Sequence, residues 1–351
     1  MNGRALIVGG GIAGLAAARG LLRAGWEVDV RERLSEPPDI GGALGMWSTA
    51  LEALDRLGLV DEVRAVGCAP TGALIAASDG RTLARLDSRG PSALLVSRST
   101  LLRILVAALP ADTVRWNTPV TAEEIGRATG ADGFDVVIGA DGINGTVRRT
   151  VFPGAPASRP LGTIAYRGAV PGHVDAFSET WGNGRIFGIT PMDGERTNWY
   201  ASLNADLLRG RDPDEDPVTL LRDLYGDWHP GVARVLAGLP GTAIDRRVLH
   251  DLPVLPSYVY GPHALIGDSA HAMAPHLGRG ACESLVDAAA LAEALSLGPT
   301  VADGLRRYDR LCRRSAGRIV RASRVMNRVA MVSRLTGVRD GVLRTAGTLM
   351  R

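Results

Sequence analysis

Apolar residues run almost unbroken from Arg4 to Gly9, as in a strand buried on both faces. A helical pattern follows from Ile12 to Ala24 and stops at Gly25. Glu27 to Glu32 reads as a second strand, so the chain opens as a βαβ unit. Thr49 to Leu57 and Ser99 to Leu109 carry apolar residues at three- and four-residue steps and predict amphipathic helices. Between Thr113 and Asp135 the pattern supports a short strand and a small helix, Ala122 to Ala128, and Asp135 to Gly139 is a further buried strand. From Thr163 to Leu203 the period changes to two, with aromatic residues and Gly turns, which predicts an antiparallel sheet. Residues 209–217 form a polar loop, Leu220 to Leu236 returns to helical spacing, and Pro253 to Pro262 is a loop-rich return. His263 to Gly267 is strand-like again, and Ala281 to Leu295 is a helix. In the tail, Leu311, Ile319, Met326 and Val329 lie at helical spacing and predict a helix packed by that face with its arginines solvated, docking on a membrane or an acidic partner being the lesser alternative. The pattern is that of an α/β fold, a Rossmann-like nucleotide domain interrupted by a β-rich insertion and closed by C-terminal helices. The expected division is 1–70, 96–160 and 250–305 for the nucleotide domain, 71–95 and 161–249 for the β-rich part, and 306–351 for the helical tail.

A length of 351 residues, 46% of them hydrophobic, suits one large or two interleaved domains. The apolar run near the start is too short for a signal peptide or a membrane span, and a cytoplasmic location is expected. Three cysteines, Cys68, Cys282 and Cys312, show no metal-like spacing, so neither a disulfide framework nor a metal site is expected. The chain has no Lys, which excludes Schiff-base chemistry and a Walker-type phosphate loop. The net charge is only +3, which argues against nucleic acid as a partner, although arginines crowd from Arg306 to Arg351 with Asp309 and Asp340 as the only acids there.

The chemistry gathers in two distant segments. Gly9, Gly11 and Gly14, in GGGIAG, fit the fingerprint that allows a tight turn, close approach to a pyrophosphate and close helix packing, with Ile12 and Ala13 opening the helix on which the phosphate would rest. Glu32, with Arg33 beside it, stands about twenty residues on, where a carboxylate accepts from ribose hydroxyls and favours FAD or NAD over NADP. Near the far end, Gly267 and Asp268 follow a strand and precede Pro275, Gly278 and Gly280, then a helix from Ala281. A carboxylate and a helix N-terminus placed so can hold a polyol and face an electron-rich ring, although a strand-to-helix turn capped by Asp would leave the same trace.

Taken together, GGGIAG with Glu32 and Arg33, ValSerArgSerThrLeu around Arg98, AspValValIleGlyAlaAspGly at 135–142 with Arg148, and LeuIleGlyAspSerAlaHis at 265–271 with Pro275 resemble the class A flavoprotein monooxygenases, the para-hydroxybenzoate hydroxylase group. The resemblance implies a GR2-type FAD-binding domain with a β-rich substrate domain, one FAD, reduction by NADH or NADPH, and oxygen from O2 delivered through a flavin C4a-hydroperoxide. It also implies that Gly9, Gly11, Gly14 and Glu32 hold the ADP half. Arg98 and Asp268 would lie by the ribityl–pyrophosphate, Asp141 and Gly142 would belong to a motif for FAD and nicotinamide, and Pro275 to Gly280 would line the ring system. The substrate would be an aromatic or polycyclic small molecule, hydroxylated or epoxidised in specialised metabolism such as antibiotic biosynthesis, by a monomer or dimer. Candidates for a base or anchor are Tyr166, Arg167, Tyr200, His250, Tyr258 and His276, each of which also reads as a packed ring, a surface histidine or, for Arg167, an ion pair within the sheet.

Several positions depart from the family pattern. Arg279 stands where Gln is common, and its charge at the pyrimidine edge would raise the flavin potential, unless it turns to solvent. Ser48 and Thr49 replace ProAsn, Gly145 replaces a usual Ser, and Thr113 to Asp135 is shortened. An oxidase, a dehydrogenase, a halogenase or a redox-silent flavin-binding protein on the same scaffold are alternatives. The halogenase is disfavoured by the lack of a TrpxTrpxIle segment and of Lys.

Overall fold

The computed structural model describes residues 3–39, 42–87, 93–129, 133–334 and 336–349. In chain order the nucleotide half begins with β1 (Arg4–Val8), α1 (Ile12–Arg23) and β2 (Glu27–Arg31). Then come β3 (Ala43–Met46), α2 (Ser48–Leu57), α3 (Val60–Val66), β4 (Gly72–Ala77), β5 (Thr82–Asp87), β6 (Leu94–Ser97) and α4 (Arg98–Ala107). The shortened segment holds β7 (Val114–Arg115) and α5 (Ala122–Arg127), the latter fixed by a capping box between Thr121 and Glu124. After β8 (Val136–Gly139) and α6 (Thr146–Val151), four strands follow: β9 (Arg159–Pro171), β10 (Phe177–Trp181), β11 (Arg185–Met192) and β12 (Arg196–Asn204). The remainder is α7 (Pro217–Tyr225), α8 (Pro230–Ala237), β13 (Asp245–Asp251), β14 (Val259–Tyr260), β15 (His263–Leu265), α9 (Asp268–His271), α10 (Gly280–Leu297), α11 (Val301–Ala330) and α12 (Thr336–Leu349).

Two large sheets organise these elements. The first has the order β14-β15-β8-β1-β2-β7, parallel except for β14, and its carboxyl ends carry the glycine loops at 9–11, 140–145 and 266–268. This is the Rossmann-like arrangement, with a ligand crevice at the strand ends where the order reverses. Helices α1 and α10 pack on each other so closely that a Cβ on Gly20 would lie 2.7 Å from the Cβ of Ala292. The second sheet has the order β13-β9-β12-β11-β10-β4-β5. One of its faces buries Tyr166, Phe187, Trp199 and Leu203 against Leu221, Tyr225, Trp228 and Val232 of the α7–α8 region. Phe187 stacks on Trp199 at 5.9 Å and meets Tyr225 edge-on at 5.4 Å.

Two expectations need correction. Leu220 to Leu236 is not one helix, because Pro230 has no N–H to continue α7 and instead starts α8. In α11 the buried face is Leu305, Tyr308, Cys312, Ala316, Val320 and Asn327, whereas Leu311 is 55% exposed and Ile319, Met326 and Val329 are half-buried. Small residues at 316 and 317 let the helix approach the body of the protein, and the Tyr308 hydroxyl fixes this rotation by donating to the Leu265 carbonyl at 2.8 Å.

Candidate functional site

At the end of β1 the main chain itself is shaped to receive a ligand. Gly9 has φ +112°, and a Cβ there would meet the Ala140 carbonyl oxygen at 2.4 Å; one on Gly14 would meet the Gly9 carbonyl at 1.9 Å. Gly11, by contrast, has nothing within 4 Å of its Cβ position, and it begins α1 with no side-chain cap. The first amides of α1 therefore face open space with the positive end of the helix dipole behind them. The Glu32 carboxylate is held beside this turn, accepting from the amides of Gly10 at 2.6 Å and Leu34 at 2.9 Å, and each oxygen keeps a lone pair for a further donor. Ile12 and Ala13 are buried in the first turn, and Arg33 is exposed next to Glu32.

The second motif is brought against the first. A Cβ on Gly267, whose φ is +56°, would touch both the Ala13 Cβ and the Ser284 Oγ at 2.8 Å. Asp268 is exposed and makes no hydrogen bond to a described residue, so its carboxylate is available to a ligand. Beneath it lies a buried pair: His271 Nε2 meets Asp287 Oδ2 at 2.6 Å, and the same oxygen accepts from the Gly267 amide at 2.9 Å. Burial alone would lower the His271 pKa, but Asp287, with Asp268 and Glu283 farther off, raises it above its ordinary value. Farther on, Pro275–Leu277 is a short 3-10 turn, Gly278 is left-handed at φ +60°, and Gly280 opens α10 with nothing within 4 Å of its Cβ position. Half-buried Ala281 follows in the same first turn. His276 sits in that turn with both ring nitrogens buried and unpartnered among the described residues, and burial lowers its pKa to about 4.

Asp141 and Gly142 serve as a clasp between these loops. The Asp141 carboxylate accepts from Val147 N and Ser269 Oγ, both at 3.0 Å, while Ser269 Oγ also accepts from Gly142 N at 2.8 Å. Arg148, buried, donates to the carbonyls of Ser269, at 2.8 Å, and Ile143. Glycine at 145 is explained by this clasp, since a Cβ there would stand 2.1 Å from Asp141 Oδ1. Half-buried Arg98 starts α4; burial lowers its pKa, Asp268 acts in the opposite sense, and Arg167, Arg247 and Asp245 are near enough to be felt. Arg98 thus stands between the nucleotide loops and the second sheet.

On that sheet one row of positions crosses five strands. Pairing places Glu179 opposite Gly188, Gly188 opposite Tyr200, Tyr200 opposite Arg167 and Arg167 opposite Asp245. Because side chains alternate along a strand, these share one face. Arg167 is paired with Asp245 at 2.7 Å, which realises the ion pair within the sheet. The Tyr200 ring lies over Gly188, where a Cβ would be 2.0 Å from it, and its hydroxyl donates to Glu179 Oε2; Trp181 Nε1 donates to Oε1 at 2.6 Å. Burial raises the Glu179 pKa, with the bonds from Tyr200 and Trp181 opposing it, and burial beside that carboxylate pushes the Tyr200 pKa well up. Asn198, two residues before Tyr200, is on the same face and accepts from Ala43 N at 3.0 Å, tying the sheet to the nucleotide half.

Tyr166 belongs to the opposite face: alternation sends it into the core, where its hydroxyl accepts from Arg246 at 3.1 Å. His250 lies at a bulge of edge strand β13, bonded to its own strand at the Val248 carbonyl, and is not brought into the row. Tyr258 is buried beside His271 and Tyr308. Arg279 does not turn freely to solvent; it pairs with Glu283 at 2.7 Å and donates to Thr49 Oγ1 at 3.0 Å, so its charge is compensated. Glu179, Asn198, Asp245 and the His271–Asp287 pair were not singled out from sequence. An acid two residues from an aromatic on either side, in PheSerGluThrTrp, is the one signal that points to Glu179.

The residues fit a dinucleotide carrying a flavin. Two uncapped helix N-termini, at Gly11 and Gly280, suit a pyrophosphate and an electron-rich ring. A carboxylate at Glu32 suits a ribose and one at Asp268 a polyol, with the Arg98 guanidinium between. Among the described residues there is no cluster that could hold a metal ion, and no helix is long and apolar enough to cross a membrane.

A family model described as an FAD binding domain matches residues 3–323. The chain is 31% identical over 326 residues to the aurachin C monooxygenase/isomerase of Stigmatella aurantiaca, covering 87% of this chain and 83% of that protein. It is 34% identical over 316 residues to the 2-heptyl-3-hydroxy-4(1H)-quinolone synthase of Pseudomonas aeruginosa, covering 84% and 81%. Among solved structures, Klebsiella pneumoniae HpxO with FAD and uric acid superposes with a TM-score of 0.87 at 23% identity over 99% of this chain and 95% of that one. A salicylate hydroxylase substrate complex gives 0.77 at 24% identity over 99% and 95%.

Proposed function

We propose that this chain, which belongs to the FAD-binding-domain family and is an FAD-dependent monooxygenase of the class A flavoprotein group, hydroxylates or epoxidises an electron-rich aromatic or fused heteroaromatic ring using O2 and NADH or NADPH. Gly9, Gly11, Ile12, Ala13, Gly14, Glu32 and Arg33 would hold the ADP half. Arg98, Asp141, Gly142, Gly267 and Asp268 would hold the linker, and Pro275, Gly278, Gly280 and Ala281 the ring system. FAD, when bound and reduced, supplies the activation of O2. The chain's own residues then have three tasks: to orient the substrate ring, to keep water away, and to manage the substrate's proton.

One arrangement carries this reading, the row Glu179–Tyr200–Arg167–Asp245 on the sheet face that also carries Asn198 and has Arg98 at its edge. A phenolic or lactam O–H or N–H becomes a stronger carbon nucleophile when its proton leaves. Tyr200 accepts that proton at Oη as its own passes to Glu179 Oε2, along the hydrogen bond already present. Burial raises the Glu179 pKa, which makes it a better acceptor near neutral pH than an exposed carboxylate. Arg167 and Arg98 offer cationic edges to a substrate carbonyl or carboxylate. The relatives' names, a quinolone synthase, an aurachin C monooxygenase and a 3-amino-4-hydroxybenzoate 2-monooxygenase, support an aromatic substrate from specialised metabolism.

FAD-loaded protein offered 2-alkyl-4-quinolones, salicylate, urate and aminohydroxybenzoates under labelled O2 tests the reading. We expect one class to stimulate NADH or NADPH oxidation and to take up label. Oxidation that yields only hydrogen peroxide with every substrate, or label taken from water, overturns it.

A further inference from the structure

Charge is distributed unevenly along the chain. Residues 301–351 hold thirteen arginines against three acids, while residues 1–300 hold twenty-seven arginines against thirty-four acids. Most of the excess lies on α11. Its inner face engages cations with specific acids: Arg324 with buried Asp251, and Arg313 with Asp309 at 3.2 Å. The outer face does not. With one residue per 100° of turn, Arg307, Arg310, Leu311, Arg314, Arg318, Arg321, Val325 and Arg328 fall within about 60° of one line. All eight are exposed, Leu311 at 55% and Val325 at 57%. Among the described residues only Arg307 of this row reaches an acid, Glu293 at 3.9 Å. The row is straight and roughly 30 Å long at about 1.5 Å per residue.

We propose that this face of α11 docks on an anionic lipid bilayer surface, lying flat with its arginines among acidic headgroups and with Leu311 and Val325 directed into the interface. Six cations in a row ask for a polyanion, and the interleaved apolar side chains select among polyanions. A phosphate backbone offers no apolar layer to receive Leu311 and Val325, whereas a bilayer surface does. A groove of about 450 Å³ runs beside the same face, lined by Trp47, Leu277, Ile319 and Ala322 with Arg279 and Arg318 at its polar edge. The acidic remainder of the protein is repelled by the same surface, which orients the molecule.

The test is co-sedimentation of the FAD-loaded full chain with vesicles of phosphatidylcholine alone and of phosphatidylcholine with an equal share of phosphatidylglycerol, at about 0.1 M and about 1 M salt, where the screening length falls from about 10 to about 3 Å. Binding is expected only to the anionic vesicles, and Arg314→Glu/Arg318→Glu/Arg321→Glu is expected to weaken it by about tenfold or more. Leu311→Ser/Val325→Ser is expected to keep low-salt binding but lose what survives at high salt. All substituted side chains are exposed, so flavin absorbance and melting temperature should match the parent and report folding. Equal binding to neutral vesicles, no loss in the triple variant, or displacement from vesicles by duplex DNA at equal charge overturns the proposal, the last in favour of nucleic acid.

Discussion

In the glycine loops at 9–14 and 278–280 the groups that would meet a ligand under the proposed function are amides and helix ends, whereas on the seven-stranded sheet they are the side chains Glu179, Tyr200, Arg167 and Asn198. The first region works by the absence of side chains and the second by their presence. A methyl group added to the first should therefore act through backbone collision or ligand exclusion. A change of one functional group in the second should act on chemistry while the fold stands.

The harshest way to probe that contrast is Gly14→Val. Its Cβ would lie 1.9 Å from a backbone oxygen that cannot move aside, and we expect a loss of about 3–5 kcal/mol with no retained flavin, read by thermal melting and absorbance. On the sheet, Glu179→Gln should lower kcat by about 100-fold, and Tyr200→Phe similarly, with bound FAD unchanged. The sign of the pH effect on stability follows from the raised Glu179 pKa. The native state binds this proton more tightly than the unfolded chain, so this contribution is full below the ordinary carboxylate value and is lost as pH rises through the raised one. The melting-temperature difference, variant minus parent, should thus increase upward from acid pH, and a flat difference would contradict the assigned burial. Gly11→Ala separates the regions more gently: nothing lies within 4 Å of the new methyl, so stability should hold while FAD affinity drops by about tenfold, seen by flavin fluorescence titration. The smallest effect is expected for Arg279→Gln, whose charge Glu283 already balances. The flavin midpoint potential should stay put and stability fall by about 1 kcal/mol, and a shifted potential would return Arg279 to the ring edge.

The same contrast decides what could be read before a structure existed. Gly9, Gly11, Gly14 and Glu32 lie within one βαβ unit, so local spacing reveals their relation, and the strand and helix before and after Asp268 are equally local. The row on the sheet joins residues from β10, β11, β12, β9 and β13 through register, which no spacing along the chain encodes. Tyr166 and Arg167 show the limit well, since alternation guarantees that only one of two neighbours faces the crevice and the sequence does not say which. The α11 helix itself was legible, but its rotation was not: Leu311 and Leu305 are equally apolar, and the choice rests on Tyr308 finding the Leu265 carbonyl. The Arg279–Glu283 pair could not be read in advance, because Glu283 lies four residues on, in a turn whose cap geometry the pattern does not resolve.

Contacts of α1 with α10 and with the turn before α9, through Gly20 against Ala292 and Ala13 against Gly267, join residues about 250–270 positions apart in sequence. During synthesis the amino-terminal fingerprint must therefore wait, open on one side, until nearly three hundred residues have left the ribosome. Cofactor capture is then a late event in the life of the chain, and the search for this distant pairing sets a high contact order and a slow final step. Nascent chains halted before α10 should be colourless whatever the supply of FAD.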